Sequence, residues 1–182
     1  NMLNTKDAVF HEPYVAVRLP FRVYEGDNNY FESIHQPFSP YVHQQRAFER
    51  LTGEDGRSTL IATGTGSGKT ECFLYPILEY CYKHRGEKGI KALIIYPMNA
   101  LASDQAKRIA ELVDGSPELK LAGIRVGMYV GGQEHSSAKM MLPDKVITDH
   151  ETLLAAPPDI LMTNYKMLDY LLVRPKDAEL WK

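Results

Sequence analysis

The chain has 182 residues, of which 44% are hydrophobic and 24% are charged, and 21 basic against 23 acidic residues give a formal charge of −2. This length suits one domain with its own core, and the balanced charge excludes a globally basic protein, so any contact with nucleic acid must be local. Without an apolar run of roughly 20 residues, a secretory signal or enough cysteines for a disulfide framework, we expect a soluble, cytoplasmic protein that makes no membrane contact.

The first 39 residues do not join the pattern of the rest, and we expect them to form an N-terminal appendage to a domain over residues 40–182. Their aromatic residues, among them Phe21, Tyr30 and Phe31, fit two readings. They could pack as a small appendage or give an aromatic face to a ligand. The sequence does not choose between these two.

From residue 40 onward, short apolar runs alternate with longer stretches of helical spacing, which is the pattern of βαβ units. The first unit is predicted to be a strand over Leu60–Ala62, a glycine-rich turn over Gly64–Gly68 and a helix from Lys69 to about Lys83. Its inward stripe is predicted to be Phe73, Ile77, Leu78 and Cys81. Pro76 should kink this helix, because proline has no backbone donor.

Three further strands are predicted, over Ala92–Tyr96, Ile124–Val130 and Asp159–Thr163. Asn99 is expected to cap a helix that runs to about Val113. A last helix is predicted over Tyr165–Val173, and residues 133–158 are predicted to be a mobile loop with some helix. Together these elements predict an α/β fold, with a parallel sheet between helices on both faces.

The loop Gly64-Thr65-Gly66-Ser67-Gly68-Lys69-Thr70 has the composition of a phosphate-binding loop. Glycines let several backbone N–H groups approach one anion, and the N-terminus of the next helix adds partial positive charge. Lys69 would give its charge to the outer phosphates of a nucleoside triphosphate, and Thr70 its hydroxyl to Mg²⁺. The general pattern G-x-x-x-x-G-K-[ST] is not fully met, because Thr63 stands at its first glycine.

Unusual segments also follow the other predicted strands, and parallel strands present their carboxyl ends at one edge of a sheet. Their position predicts a second ligand beside the nucleotide. The segments are Pro97-Met98-Asn99-Ala100, Gly131-Gly132 and Thr163-Asn164-Tyr165.

These segments resemble the motifs of superfamily 2 DEAD/DEAH-box helicases, in the spacing of RecQ-like and related large bacterial enzymes. Residues 62–70 resemble motif I, where the first glycine is commonly replaced. Residues 97–105 are similar to motif Ia, Val130-Gly131-Gly132 to the glycine pair, and residues 159–165 to motif Ib. The resemblance covers Pro40 to Val173 and implies a three-layer, RecA-like P-loop domain that is incomplete.

The resemblance also implies ligands. ATP would contact Thr65, Gly66, Ser67, Gly68, Lys69 and Thr70, with Lys69 and Thr70 serving catalysis and Thr70 holding Mg²⁺. In Pro40-Tyr41-Val42-His43-Gln44, Gln44 would recognise adenine. One nucleic-acid strand, with DNA favoured over RNA, would be held largely independently of sequence by Pro97, Met98, Asn99, Gly131, Gly132, Thr163, Asn164 and Tyr165.

ATP hydrolysis needs an acidic residue on Mg²⁺ and another at the attacking water, and residues 174–182 contain no strand that could present them. The resemblance places motif II after this point and a second RecA-like domain beyond it. We therefore expect the N-terminal part of the first motor domain of an ATP-dependent DNA helicase or translocase, which alone hydrolyses ATP poorly. A P-loop small-molecule kinase and a helicase-like module without a motor remain alternatives.

Some other reactive or charged side chains are expected to have structural roles only. Cys72 and Cys81 lack the spacing of zinc ligands and are predicted to be packing residues. The basic run Lys83-His84-Arg85, with Lys88 and Lys91, is predicted to lie in a solvated loop at the opposite edge of the sheet. His135 and His150 receive no role.

Overall fold

A computed structural model describes residues 19–27, 29–36, 38–53, 56–131 and 137–181. The helices are α1 (Val42–Thr52), α2 (Lys69–Lys83), α3 (Asn99–Gly115), α4 (Pro117–Leu121), α5 (His150–Ala155) and α6 (Tyr165–Val173), followed by a 3-10 helix (Pro175–Trp181). The strands are β1 (Ala92–Tyr96), β2 (Val126–Tyr129) and β3 (Ile160–Asn164). None of the helices in these ranges is long and apolar enough to cross a membrane.

The three strands form one parallel sheet in the order β1-β3-β2. Ile94 of β1 is level with Met162 of β3, and Met128 of β2 is level with the same residue. Because parallel strands need crossovers, each strand is followed by helical chain before the next begins. The carboxyl ends of all three strands therefore meet at one edge, as predicted.

Helices cover both faces of the sheet, and the pleat of β3 shows why. Ile160 and Met162 point into a core shared with α2 and α3, whereas Leu161 points into a second core shared with Leu153 of α5 and Leu171 of α6. Alternate residues of a strand face opposite sides, so a central strand must be apolar throughout. The predicted three-layer α/β fold is confirmed.

The predicted strand over Leu60–Ala62 is wrong, because residues 56–64 have no regular secondary structure. Leu60 is 92% exposed. A strand is stabilised by its ladder of hydrogen bonds, and within the described residues β1 pairs with β3 alone. The run of three apolar residues therefore forms no ladder with β1 or with either other described strand.

Two details of the predicted helices are corrected. The helix after the phosphate loop spans Lys69–Lys83 as predicted, with Pro76 buried inside it, and the kink at Pro76 stays a prediction. Asn99 is the first residue of α3 and does not cap it, since Met98 occupies the N-cap. The Asn99 side chain reaches across to another loop instead.

Residues 19–39 are held against the main domain at two places. Ile34 lies in the larger core, and Phe31 packs edge-on against Phe48, with ring centroids 4.9 Å apart. Nearer the phosphate loop, Val23 forms an antiparallel bridge with Tyr41. Of the two readings left open by the sequence, packing accounts for Tyr30 and Phe31, because both rings pack against Phe48.

Candidate functional site

The loop between Thr63 and Lys69 turns on two glycines with left-handed backbone. Gly66 has φ +74° and Gly68 has φ +71°, a region that side-chain-bearing residues rarely adopt. A Cβ on Gly68 would also lie 2.4 Å from Nε2 of Gln44, so a side chain at this position would displace the Gln44 amide. Gly66 has open space around it, which leaves its backbone accessible to a ligand.

Lys69 and Ser67 determine the shape of this loop. The Lys69 ammonium donates hydrogen bonds to the carbonyls of Thr63, at 3.0 Å, and Gly64, at 2.7 Å. Ser67 is buried, and its hydroxyl lies 2.6 Å from that of Thr63. The residue at the first glycine position therefore closes the loop through its hydroxyl. A bound anion would offer Lys69 charged acceptors in exchange for two neutral carbonyls.

The first turn of α1 lies against the loop. Gln44 donates from Nε2 to the Gly68 carbonyl at 3.0 Å, and its Oε1 accepts from the Tyr41 N–H at 2.9 Å. His43 contacts the Ser67 carbonyl through Nε2 at 2.8 Å. The next glutamine, Gln45, is buried in the domain. Gln44 is therefore the glutamine that faces the loop, with one amide hydrogen and one lone pair left for a ligand.

A cleft of about 890 Å³ opens beside Gly66 and Gly68, and Gln44, Tyr41 and Phe38 form part of its wall. Glu71 also lines the cleft and forms an ion pair with Arg108 of α3. A free carboxylate here would repel phosphate, so this pairing removes an unfavourable charge. The same ion pair connects the first turn of α2 to α3.

The two cysteines have no reactive character. Burial raises the pKa of Cys72, and the nearby Lys69 charge offsets this only in part. Burial likewise raises the pKa of Cys81 to about 12. A nucleophilic cysteine needs a lowered pKa and some exposure, and both thiols are fully buried. Their predicted role as packing residues is confirmed.

At the carboxyl edge of the sheet, hydrogen bonds join the segments that follow the three strands. Asn164, at the end of β3, donates from Nδ2 to Oδ1 of Asn99 at 2.7 Å. Asn99 in turn donates to the carbonyl of Gly131, beyond β2, at 3.2 Å. Asn164 also caps α6 by accepting from the Met167 N–H at 2.8 Å. We call Asn99, Gly131 and Asn164 the edge network.

The other predicted nucleic-acid residues differ in accessibility. Pro97, Met98 and Tyr165 are exposed next to the edge network, with Tyr165 at the start of α6. Thr163 differs from the accessible contact that was predicted: it is fully buried and donates its hydroxyl to the Tyr129 carbonyl at 2.7 Å, so it joins β3 to β2. Gly132 lies outside the described residues.

The basic run at the opposite edge is occupied with structural contacts. Lys91 forms a largely buried ion pair with Asp159 at 2.6 Å, which joins the chain before β1 to the chain before β3. Arg85 lies over the Tyr82 ring, 4.6 Å from its centroid. The prediction of a solvated loop agrees with the exposure of Lys83, Arg85 and Lys88 but is wrong for Lys91, whose side chain is only 5% exposed.

Three side chains with polar contacts were not assigned roles from the sequence. His43 stands directly before Gln44, and this position beside the predicted adenine contact is the signal in the sequence that could have indicated a role for it. Arg108 pairs with Glu71 across 37 residues. His150 packs against Tyr129 with the rings tilted and their centroids 4.6 Å apart, and it contacts the buried Asp177 at 3.0 Å. Contacts between distant residues give no local signal in a sequence.

Comparison with known proteins gives one family and several relatives. The family model "DEAD/DEAH box helicase" matches residues 41–180. The chain is 43% identical over 105 residues to Druantia protein DruE of Escherichia coli (strain UMEA 4076-1), which covers 50% of the chain and 6% of that protein. It is 35% identical over 74 residues to the uncharacterized ATP-dependent helicase YprA of Bacillus subtilis (strain 168), covering 41% of the chain and 9% of the relative.

Among solved structures, the chain is similar to the DUF1998 helicase MrfA bound to DNA and AMPPNP. The TM-score is 0.62 with 26% sequence identity, and the match covers 88% of this chain and 20% of MrfA. The chain thus spans a small part of each of these relatives.

Proposed function

Because the chain belongs to the DEAD/DEAH box helicase family, we propose that it is the ATP-binding and nucleic-acid-binding part of the first motor domain of an ATP-dependent DNA helicase or translocase. The observation that carries this proposal is the pairing of two sites in one fold. A phosphate loop with its lysine borders a large cleft, and the edge network lies at the carboxyl ends of the strands.

At the first site, we propose that the N–H groups of Gly66, Gly68 and Lys69 bind the phosphates of ATP, together with Thr65 and Ser67 of the same loop. The Lys69 ammonium would leave the carbonyls of Thr63 and Gly64 for phosphate oxygens. Gln44 would form hydrogen bonds to adenine through its remaining amide hydrogen and lone pair. Its position on the cleft wall is consistent with this contact.

Thr70 is the proposed protein ligand of Mg²⁺. Within the described ranges, no group of three or more acidic, histidine or cysteine side chains could hold a metal. A single hydroxyl combined with phosphate oxygens and water is, however, a donor set that Mg²⁺ accepts, since this ion keeps several waters and takes few protein ligands. When bound, the ion would neutralise charge on the outer phosphates.

At the second site, we propose that the edge network and its exposed neighbours Pro97, Met98 and Tyr165 contact the sugar-phosphate backbone of one strand. Amide groups and the N-termini of α3 and α6 favour phosphates without reading bases. The near-neutral charge of the chain fits such a local site. DNA is the proposed strand because MrfA, with a similar fold, was solved bound to DNA and AMPPNP.

A small-molecule kinase would explain Lys69 and Thr70 but would leave the edge network without a purpose. A helicase-like module without a motor differs from the proposed function only in what lies beyond the chain. We propose that the parent protein has the acidic motif II and a second RecA-like domain, and that ATP closes the two domains across a cleft.

Two variants test the proposal, and each serves as a control for the other. Lys69→Ala should weaken ATP binding by about tenfold or more, because a charge-assisted contact to phosphate is lost, and should leave single-stranded DNA binding unchanged. Asn99→Ala should weaken DNA binding and leave ATP binding unchanged. Titrations with a fluorescent ATP analogue and with labelled DNA and RNA oligonucleotides measure both. Wild-type protein that binds neither ligand, or Asn99→Ala with normal DNA affinity, would contradict the proposal.

A further inference from the structure

We propose that His43 is a positioning residue of the phosphate loop, which acts from behind the loop and turns one of its N–H groups towards the bound phosphates. This inference rests on the proposed binding of ATP. Its central contact is the 2.8 Å hydrogen bond between His43 Nε2 and the Ser67 carbonyl. His43 itself does not line the nucleotide cleft. It lines a separate pocket on the other side of the loop, with Leu60 to Thr63.

The geometry of the peptide bond connects this contact to the ligand. In a planar trans peptide, the carbonyl oxygen of one residue and the N–H of the next point in opposite directions. Because His43 holds the Ser67 carbonyl on its own side, the Gly68 N–H is turned away from α1. A backbone N–H directed at an open site is what binds an anion in such loops.

Ser67 is fixed at its side chain as well, which makes the orientation of its peptide group definite. The Ser67 hydroxyl lies 2.6 Å from that of Thr63, and the residue is 1% exposed. The flanking residues Gly66 and Gly68 both have left-handed backbone, a conformation that places the Ser67 peptide group in the turn. His43 and Thr63 therefore hold the buried residue that lies between the two left-handed glycines.

The His43 ring is itself held by aromatic packing. It stacks on Tyr41, with centroids 5.6 Å apart, and meets Phe21 edge-on at 5.7 Å. Phe21 also approaches the loop, since its Cζ is 3.6 Å from where a Cβ on Gly64 would lie. The strand-like pairing of Val42 N–H with the Arg22 carbonyl, at 2.9 Å, anchors Phe21. Phe21 of the N-terminal appendage thus holds the His43 ring, and that ring in turn holds the phosphate loop.

The contact also defines the protonation of the ring. A carbonyl oxygen can only accept, so Nε2 of His43 carries the hydrogen of this contact. Gln44 makes the equivalent contact to the next carbonyl, that of Gly68. Gln44 also lines the cleft, so its substitution would disturb the ligand directly. Substitution of His43 therefore measures how much the orientation of the loop contributes to phosphate binding, without removing a side chain from the cleft.

The experiment compares wild-type chain, His43→Ala and His43→Gln, with His84→Ala as a matched control at the far end of α2. Competition against a fluorescent ATP analogue gives affinities for inorganic tripolyphosphate, which has no base, and for adenosine, which has no phosphate. His43→Ala should weaken tripolyphosphate and ATP by about 5- to 20-fold, less than the loss of a whole hydrogen bond to a charged group because the Gly68 N–H is still present, with adenosine unchanged. Glutamine retains a donor, so His43→Gln should recover most of the loss, and His84→Ala should match wild type.

Several outcomes would overturn the proposal. These are His43→Ala with wild-type affinity for tripolyphosphate, an equal loss of tripolyphosphate and adenosine, or His43→Gln no better than alanine. If wild-type chain binds neither ATP nor tripolyphosphate, the proposed function itself fails. If His43→Ala does not fold, long-range ¹H–¹⁵N spectra of the wild-type chain decide, since the neutral tautomer with its hydrogen on Nδ1 would refute the contact.

Discussion

Glu79 is a buried carboxylate that fastens the N-terminal appendage to α2. Its Oε2 accepts hydrogen bonds from the Ser33 hydroxyl at 2.7 Å, the Ser33 N–H at 3.1 Å and the Glu32 N–H at 3.2 Å. Burial alone would raise the pKa of Glu79, but these hydrogen bonds and Lys83 outweigh it and lower the pKa below its ordinary value. The charged form is therefore the one that the fold prefers.

Glu79→Gln should lower the free energy of unfolding by about 1–3 kcal/mol near neutral pH, because charge-assisted hydrogen bonds are weakened. A carboxylate with a lowered folded-state pKa contributes stability that is present above its unfolded pKa and is lost as pH falls through the folded pKa. The difference between variant and wild type should therefore shrink below the ordinary pKa of glutamate. Urea denaturation at several pH values measures it, and a gap that widens in acid would contradict the assignment.

At the scale of elements, β2 is packed so closely beneath α5 that it needs a glycine. A Cβ on Gly127 would lie 2.4 Å from Cδ2 of Leu153 and 2.9 Å from Cγ of Pro158. The backbone of β2 also bonds to the chain before α5, with Met128 N–H donating to the Ile147 carbonyl at 2.8 Å. The carboxyl end of β2, which carries Gly131 of the edge network, depends on this packing.

Gly127→Ala should destabilise the fold by about 1–3 kcal/mol through overpacking. Gly115→Ala is the matched control: it lies at the end of α3 with no atom within 4 Å of the added Cβ, and it should stabilise the chain by a few tenths to about 1 kcal/mol. Urea midpoints compare the two. A Gly127→Ala chain as stable as wild type would show that α5 can move away from the sheet.

The strand predicted over Leu60–Ala62 is absent although these three residues are apolar. Leu93 and Ile95 are 37% and 48% exposed, whereas Ile160 to Thr163 of the central strand are fully buried. Leu60 is more exposed still, although its run reads as a buried strand. Apolar composition predicts that a segment is suited to a strand, but only a neighbouring strand makes it one.

At the scale of the whole molecule, we expect nucleotide binding and nucleotide hydrolysis to be separable. Hydrolysis requires carboxylates placed near the outer phosphates. Among the described strands, none is followed directly by an acidic residue: Pro97 follows β1, Val130 follows β2 and Tyr165 follows β3. Glu71, which directly follows the loop in sequence, forms an ion pair with Arg108.

We therefore expect the 182-residue chain to bind ATP but to release phosphate more slowly than about 0.1 per second, well below typical enzyme turnover, even with saturating single-stranded DNA. A phosphate-release assay measures this, with Lys69→Ala reporting any contaminating ATPase. Rapid turnover that DNA stimulates and Lys69→Ala abolishes would refute the expectation.

Local pattern was sufficient for much of the fold and for the choice of family. The bounds of β1, α2 and α6 follow from periodicity and from Pro97, Gly68 and the turn residues near them, because these signals act within a few residues. The motif order placed the chain among DEAD/DEAH box helicases, a placement that the family match confirms. The sequence also identified Thr63, which stands at the first glycine position of the pattern, as a feature of a motif I variant.

Only the tertiary structure decided which of these residues are accessible and which serve the core. Thr163 was predicted to contact phosphate, yet the pleat of β3 turns it inward to Tyr129, because one step along a strand reverses the direction of a side chain. The role proposed for His43 arises because α1 meets the loop 24 residues away. Such contacts depend on how distant segments pack, and a sequence encodes that packing only through the fold as a whole.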